Sequence, residues 1–356
     1  MPRMTSADFH ALSRAQQVLV TGGAGFIGSH LVEALLAREL AVTVLDDFST
    51  GRRANLARVD AHPALRIVRG DVRDADAVAD ALADATVIFH LAATVGVARV
   101  LDDPANAMES AFLGTRAVLA AATRRGATVH LASTSEVYGR GARLPFAEDD
   151  DRVLGSTQVP RWSYGVTKAA AEHLAFAHHR RGGVQAVAMR LFNTIGPRQR
   201  GRYGMVVPRL VGQALAGEPL TVYGDGAQRR CFCDVGDVVR ALIALADVPA
   251  AAGRAINVGS DREISIAELA REIVQTVDAD ADPTAVHERL RFVPYAAVYG
   301  PDFEDPPCRR PSLTRLRGLT GWSPSVPLRE SLANVVVDQR ARRVVPSPTA
   351  SEQTVS

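Results

Sequence analysis

The sequence predicts a doubly wound α/β protein: a parallel sheet covered by helices on both faces, followed by a smaller and more irregular unit. Three observations predict it. Short apolar runs alternate with Ala-rich helical stretches through the first half of the chain. A glycine-rich turn, Gly22-Gly23-Ala24-Gly25-Phe26-Ile27-Gly28, joins the first apolar run to the first helical one. Beyond Asn193 the rhythm breaks into Gly- and Pro-marked turns, such as Gly196-Pro197, Gly217-Glu218-Pro219 and Tyr223-Gly224-Asp225-Gly226. At 356 residues, 47% of them hydrophobic, the chain can bury a large core.

Taken in order, Val18-Leu19-Val20 reads as the first buried strand, Ile27 to Arg38 as an amphipathic helix and Val42 to Leu45 as the second strand. Leu65 to Val68, Val87 to Phe89, Thr128 to Leu131 and Val184 to Arg190 supply four more strands. Ile256-Asn257-Val258-Gly259 reads as a late return to the sheet. The sheet unit is expected over 15–192, with return segments near 229–258, and the smaller unit over 193–228 and 259–340. The polar ends, 1–14 and 345–356, are expected to be disordered. No internal repeat is visible.

Composition removes several function classes. The formal net charge is +2 and the arginines are scattered, so no nucleic-acid partner is expected. No apolar run is long and clean enough to span a bilayer, and residues 1–17 do not read as a signal peptide, which points to a soluble cytoplasmic protein. Three cysteines, Cys231, Cys233 and Cys308, argue against a disulfide framework. Cys231-Phe232-Cys233 puts two thiols on one face of a strand but lacks the usual zinc spacing, so no metal is expected. The chain has a single lysine, Lys168; its other Lys+Arg positions are all arginine. A place where lysine persists is a candidate for chemistry that arginine cannot do.

The glycine turn has the form of a dinucleotide site. Gly22 permits the tight turn, Gly25 lets backbone approach a pyrophosphate, and Gly28 lets the helix pack close to the strand. Phe26 and Ile27 open the helix, whose N-terminal N–H groups and dipole favour phosphates. Asp46 ends the second strand, where an acid binds ribose hydroxyls and repels a 2′-phosphate, favouring NAD over NADP; Arg52 and Arg53 lie close by. Asp71 and Val72, after the third strand, are placed to meet adenine. Leu91, Ala92 and Ala93, after the fourth, offer mostly small side chains where backbone must pass close to a cofactor. His90 reads as a packed core histidine.

Tyr164-Gly165-Val166-Thr167-Lys168 is Tyr-x-x-x-Lys, which places both side chains on one helix face. A nearby ammonium, with a positively charged nicotinamide, would lower the phenol from its free value near ~10. Tyr164 could then take a proton from a sugar hydroxyl as hydride leaves the same carbon. Thr134, Ser135 and Glu136 follow the fifth strand, at the end of the sheet where ligands of open α/β folds sit.

These residues resemble the extended short-chain dehydrogenases, the NAD-dependent epimerase/dehydratase family. The likeness covers nearly all of 17–332 and includes His90-Leu91-Ala92-Ala93, Arg190-Leu191-Phe192-Asn193 and Gly196-Pro197-Arg198. It implies a Rossmann domain with bound NAD, a smaller C-terminal sugar-nucleotide domain, and a homodimer through two helices per subunit, here roughly Pro104 to Arg124 and Trp162 to Arg181. Within the family, Thr134-Ser135-Glu136 looks like the decarboxylase signature, because the 4,6-dehydratases carry Asp-Glu where this chain has Ser135-Glu136. Dehydration needs an acid for the departing hydroxyl, and serine is a poor one.

Pro160 to Tyr164, Gln228 to Phe232, and Tyr299 to Asp305 ending in Arg309-Arg310-Pro311 also look like UDP-glucuronate decarboxylases, including those that release a 4-ketopentose. The resemblance implies that Arg230 sits beside the hexose carboxylate and nucleotide and can deliver a proton. It implies that Arg309 contacts the phosphates, and that Asn193, Arg198, Tyr223 and Gln228 help hold the UDP-sugar. Whether the product is UDP-xylose or UDP-4-ketopentose stays open. So do a 4-epimerase, a 4,6-dehydratase and, in another class, a non-catalytic nucleotide sensor. One departure is Ala111, where many relatives have asparagine.

Overall fold

A computed structural model describes residues 9–93, 102–141, 143–201, 204–300 and 304–344. Seven strands form the central sheet: β1 (Gln17–Thr21), β2 (Ala41–Asp46), β3 (Leu65–Arg69), β4 (Val87–His90), β5 (Thr128–Thr134), β6 (Gln185–Leu191) and, late in the chain, β11 (Ala255–Val258). Their order is β11-β6-β5-β4-β1-β2-β3. Every pairing is parallel, with Val18 opposite both Val42 and Val87, and Ala255 opposite Ala188.

Alternation along β1 divides the core. Val18 and Val20 bury on one face with Leu31, Leu35, Val44 and Met189, while Leu19 buries on the other with Ile88, Val118, Leu119 and Leu131. Helices cover both faces: α1 (Phe26–Leu36), α2 (Ala75–Leu82), α3 (Pro104–Arg125) and α4 (Ser163–Arg180). Asp74 caps α2 by accepting from the Asp76 and Ala77 N–H groups. Pro104 opens α3, and Gly126 ends it in a left-handed cap at φ 70°.

Past β6 the chain builds a second core from α5 (Val206–Leu215), α7 (Ile266–Val277) and α8 (Leu328–Val344), with Leu210, Leu269, Ile273 and Val335 buried together. β7 (Thr194–Ile195) pairs in parallel with β10 (Cys233–Asp234), and β8 (Leu220–Tyr223) with β13 (Leu290–Val293). A capping box, Ser265 with Glu268, starts α7. Between the cores, α6 (Val235–Ala246) returns to the first one through Val238, Leu242 and Leu245.

Three placements differ from the sequence expectation. Residues 9–14 are ordered: Phe9 and Leu12 bury on the first core, so the polar composition of that end hid two apolar anchors. Residues 1–8 and 345–356 lie outside the described residues. Arg229–Cys231, expected among the return segments, forms β9 of a separate three-stranded sheet with β12 (Glu263–Ser265) and β14 (Cys308–Arg309). Leu313, Leu316 and Trp322, expected in the smaller unit, bury against the first core. No helix among the described residues is long and apolar enough to cross a membrane.

Candidate active site

Beyond the C-terminal ends of the sheet strands lies a cavity of about 480 Å³. Every candidate residue named from the sequence lines it. From the cofactor side these are Gly22, Gly25, Phe26, Ile27, Gly28, Asp46, Asp71, Val72, Leu91, Ala92 and Ala93. From the sugar side they are Thr134, Ser135, Glu136, Tyr164, Lys168, Asn193, Arg198, Tyr223, Gln228, Arg230 and Arg309.

The glycine turn leaves no room for side chains. A Cβ on Gly28 would stand 2.2 Å from the Gly22 carbonyl oxygen, and one on Gly22, at φ 71°, would stand 2.7 Å from the Ala92 nitrogen. Gly25 caps α1 without any side chain, whereas Asp74, Asp234 and Ser265 cap α2, α6 and α7. The first N–H groups of α1 therefore face the cavity uncapped, a cradle that fits a dinucleotide pyrophosphate. Asp46 is buried at the rim and accepts from the Ala24 N–H (2.9 Å) and the Phe48 N–H (2.8 Å). Arg53 turns away to Asp60 on the surface, while Arg52 stays in the lining. The Asp71 carboxylate is paired with Arg73.

Behind this lining His90 is buried and neutral, its pKa pushed down to about 3 by burial and by Lys168. Thr115 donates its hydroxyl to the Ala111 carbonyl (2.7 Å). His90 Nε2, at 3.2 Å from that hydroxyl, must then be the donor, which leaves Nδ1 to accept from Thr21 Oγ1 at 2.7 Å. Thr21 in turn accepts from the Ala92 N–H (3.2 Å). With Ala111 in place of an asparagine, this chain ties the sheet to α3 through Thr115.

On the sugar side, the N-terminus of α4 seats against the single turn Ser135–Tyr138. A Cβ on Gly165 would stand 2.5 Å from the Glu136 carbonyl oxygen, so glycine there brings Tyr164 and Glu136 together. Lys168 is buried and donates to the Ala132 carbonyl at 2.8 Å. Burial lowers its pKa to about 8 against the opposing pull of Glu172. Glu172, one turn on, pairs with Arg190 (2.8 Å) and accepts from Ser133 (2.5 Å), a buried floor under the site.

The protein's own groups do not lower the Tyr164 phenol. Burial, then the Glu136 carboxylate, push it above its ordinary value. Of the two cations the expectation invoked, the Lys168 ammonium donates to the Ala132 carbonyl and does not offset burial and the Glu136 charge.

Burial works to raise the Glu136 carboxyl, but Arg309 and then Arg161 overcome it and hold the pKa down to about 2. Arg161 Nη2 stands 2.7 Å from Glu136, and Arg309 pairs with its other oxygen. Arg309 also reaches Asp305 (3.2 Å), as does Arg230 (2.6 Å). Tyr295 donates to Asp305 at 2.9 Å, and Gln228 donates to the Tyr295 hydroxyl at 2.9 Å. Tyr223 meets the Tyr295 and Tyr299 rings edge-on and lies under the Arg209 guanidinium at 4.3 Å. Asn193 donates to the Cys231 carbonyl (2.9 Å).

Arg198, given a nucleotide-holding role by the resemblance, lines the cavity with its guanidinium already engaged. Its guanidinium is taken up by Glu33 and Ser29 on α1, and its backbone N–H by Asp338 on α8 (3.0 Å). It lines the cavity as a tie between elements.

Arg161, Arg209, Tyr295, Tyr299 and Asp305 were not named as site residues from the sequence. Arg161 stands three residues before Tyr164, a spacing that could have found it. Pro301, Asp302 and Phe303 of the quoted motif lie outside the described residues. Cys233 is buried in the first core, and Cys308 donates to Glu263 at 2.6 Å on β12. Among the described residues no group of three or more His, Cys, Asp or Glu could hold a metal.

Residues 18–259 match the model of the NAD dependent epimerase/dehydratase family. The chain is similar to a UDP-N-acetyl-alpha-D-glucosaminuronate decarboxylase of Bacillus cytotoxicus, 38% identical over 90% of this chain and 97% of that protein. It is also similar to UDP-glucuronic acid decarboxylase 2 of Arabidopsis thaliana, 37% identical over 92% of this chain and 68% of that protein. Among solved structures, a dTDP-glucose 4,6-dehydratase of Streptomyces venezuelae with NAD bound is 32% identical, with a TM-score of 0.81 over 92% of this chain and 98% of that one.

Proposed function

Starting from the fact that the chain belongs to the NAD dependent epimerase/dehydratase family, we propose that it is an NAD-dependent UDP-glucuronate decarboxylase. The single observation that carries this reading is the set of three arginines, Arg161, Arg230 and Arg309, gathered on Glu136 and Asp305 in the same cavity as Tyr164 and Lys168. Arginine forks suit a ligand that carries a carboxylate besides its diphosphate. Ser135 stands where a dehydratase needs an acid, which disfavours loss of a hydroxyl.

The glycine turn, Asp46 and the 91–93 backbone would hold NAD, which supplies reversible hydride acceptance at C4 and a cationic ring that favours the phenolate. Tyr164 takes the proton of the C4 hydroxyl, with Thr134 to orient that hydroxyl and Lys168 to balance the charge. A ketone at C4 stands β to the C6 carboxylate, so loss of CO₂ leaves an enolate that the ketone delocalises. The site then has to protonate C5. Glu136, pinned as a carboxylate, is not itself the acid; it can hold the water that is, and Arg230 is the other donor in reach.

A second reading follows from the Bacillus cytotoxicus relative: the same decarboxylation on a UDP-sugar whose C2 hydroxyl is replaced by an N-acetyl group. α3 and α4 pack side by side and leave Met108 and Val166 exposed, which supports a homodimer through these helices. A cytoplasmic location accords with an enzyme that draws on NAD and a UDP-sugar. Incubating the protein with NAD⁺ and each UDP-uronate, and measuring CO₂, tests the reading. Release from UDP-glucuronate supports it, release from the N-acetylated sugar alone moves it to the second reading, and no release from either removes it.

A further inference from the structure

Within the sugar side of the cavity, five charged side chains are joined in alternating order: Arg161, Glu136, Arg309, Asp305, Arg230. Within this chain, three positive groups against two negative ones leave a formal excess of one positive charge. Glu136 has a place in the chemistry above. Asp305 has none, yet it is the more connected carboxylate. Its Oδ1 accepts from Arg309 at 3.2 Å, and its Oδ2 from Arg230 at 2.6 Å and from Tyr295 at 2.9 Å.

One carboxylate spanning two guanidiniums is the arrangement a hexuronate carboxylate would itself need. Asp305 is not part of a strand; it stands in the irregular segment that leads into β14, with its side chain 17% exposed at the cavity. Such a group can turn aside without unpairing a sheet. Arg230 and Arg309 sit opposite each other on β9 and β14 and are fixed by that pairing.

We propose that Asp305 is a placeholder carboxylate, a specificity-determining residue that occupies Arg230 and Arg309 until the carboxylate of the substrate replaces it. The inference rests on the decarboxylase reading for the nature of that substrate. An internal carboxylate competes with any anion for the two arginines. A phosphate or a bare UDP therefore gains little from them, and only a ligand with both a diphosphate and a suitably placed carboxylate displaces Asp305 fully. Without Asp305 the arginine pair becomes an unguarded anion site.

The test is calorimetric titration of NAD-loaded wild type, Asp305→Asn and Asp305→Ala with UDP and with inorganic phosphate, beside thermal midpoints. Asparagine keeps the volume, removes the charge and turns an N–H₂ toward one guanidinium. Removing one negative charge several ångströms from an anion should tighten UDP and phosphate about tenfold. The inhibition constant of UDP-glucose, which has no carboxylate to displace Asp305, should fall about as much. A purely structural aspartate would lower thermal midpoint and UDP affinity together. Unchanged or weaker UDP binding in both variants, or variants that do not fold, would overturn the proposal. If wild type releases no CO₂ from UDP-glucuronate, the decarboxylase reading falls, while the UDP and phosphate titrations still decide the part played by Asp305.

Discussion

The two halves of the cavity are built from different materials. The cofactor half is backbone and small side chains: a glycine turn too tight for any Cβ at Gly22 or Gly28, an uncapped helix start, and the 91–93 strand end. The sugar half is charged and aromatic side chains drawn from β5, α4, β9, β14 and the segments between them. Each half is vulnerable in its own way. The first fails by collision and the second by loss of charge balance, so single substitutions should separate them.

The largest separation should come from the chemistry itself. Tyr164→Phe removes the proton acceptor without changing shape, and kcat should fall by about 10³-fold while NAD and UDP affinities stay within a few-fold. Equal losses in kcat and in both affinities would mean that the tyrosine shapes the cavity rather than reacting in it. Next, Gly28→Val should drive a side chain into the Gly22 carbonyl. NAD affinity should drop by about 100-fold or more, while UDP affinity in titrations of the folded variant changes little. Parallel loss of UDP binding would show that the halves are not independent.

Charge balance in the sugar half is probed by Glu136→Gln. Arg161 and Arg309 lose their shared carboxylate, and kcat should fall by about 10²-fold with NAD affinity unchanged in a fluorescence titration.

A smaller effect is global and pH-dependent. Burial lowers His90 and His130 to about 3, and His130 stacks on Phe89 at 5.1 Å with neither ring nitrogen hydrogen-bonded. Between about 3 and 6.5 the unfolded chain binds more protons than the folded one. Stability is therefore full above 6.5 and lost as pH falls below it. Thermal midpoints should decline from pH 7 to pH 5, and His130→Phe should flatten that decline; a flat profile in the wild type would contradict this. The smallest effect expected is Arg53→Ala. Its partner Asp60 is 38% exposed and Arg53 itself 68%, so thermal stability should change by less than about 1 kcal/mol and the preference for NAD not at all.

The same contrast explains what the sequence disclosed. The strands and the glycine turn were readable because their causes are local: alternation in β1, and three glycines within a few residues of one another. Tyr164 and Lys168 were readable because one helical turn joins them, and Lys168 because no other lysine accompanies it. The alternating row of Arg161, Glu136, Arg309, Asp305 and Arg230 was only half readable. Arg309 and Glu136 are 173 residues apart and Arg230 and Asp305 are 75 apart, and nothing local reports such meetings. Arg198 shows the converse. Its motif was visible, but its guanidinium is committed to Glu33 and Ser29, which only the packing of α1 reveals. The opposing influences on the Tyr164 phenol were hidden for the same reason, since burial and Glu136 come from outside its helix.

If this cavity oxidises C4 in order to release the neighbouring carboxylate, an NMR time course in D₂O with NAD⁺ and UDP-glucuronate labelled at C6 will register both events. Labelled CO₂ and a pentose product carrying one deuterium at C5 are expected, both abolished in Tyr164→Phe. A product that keeps its labelled carboxylate with C4 inverted would contradict the decarboxylase reading.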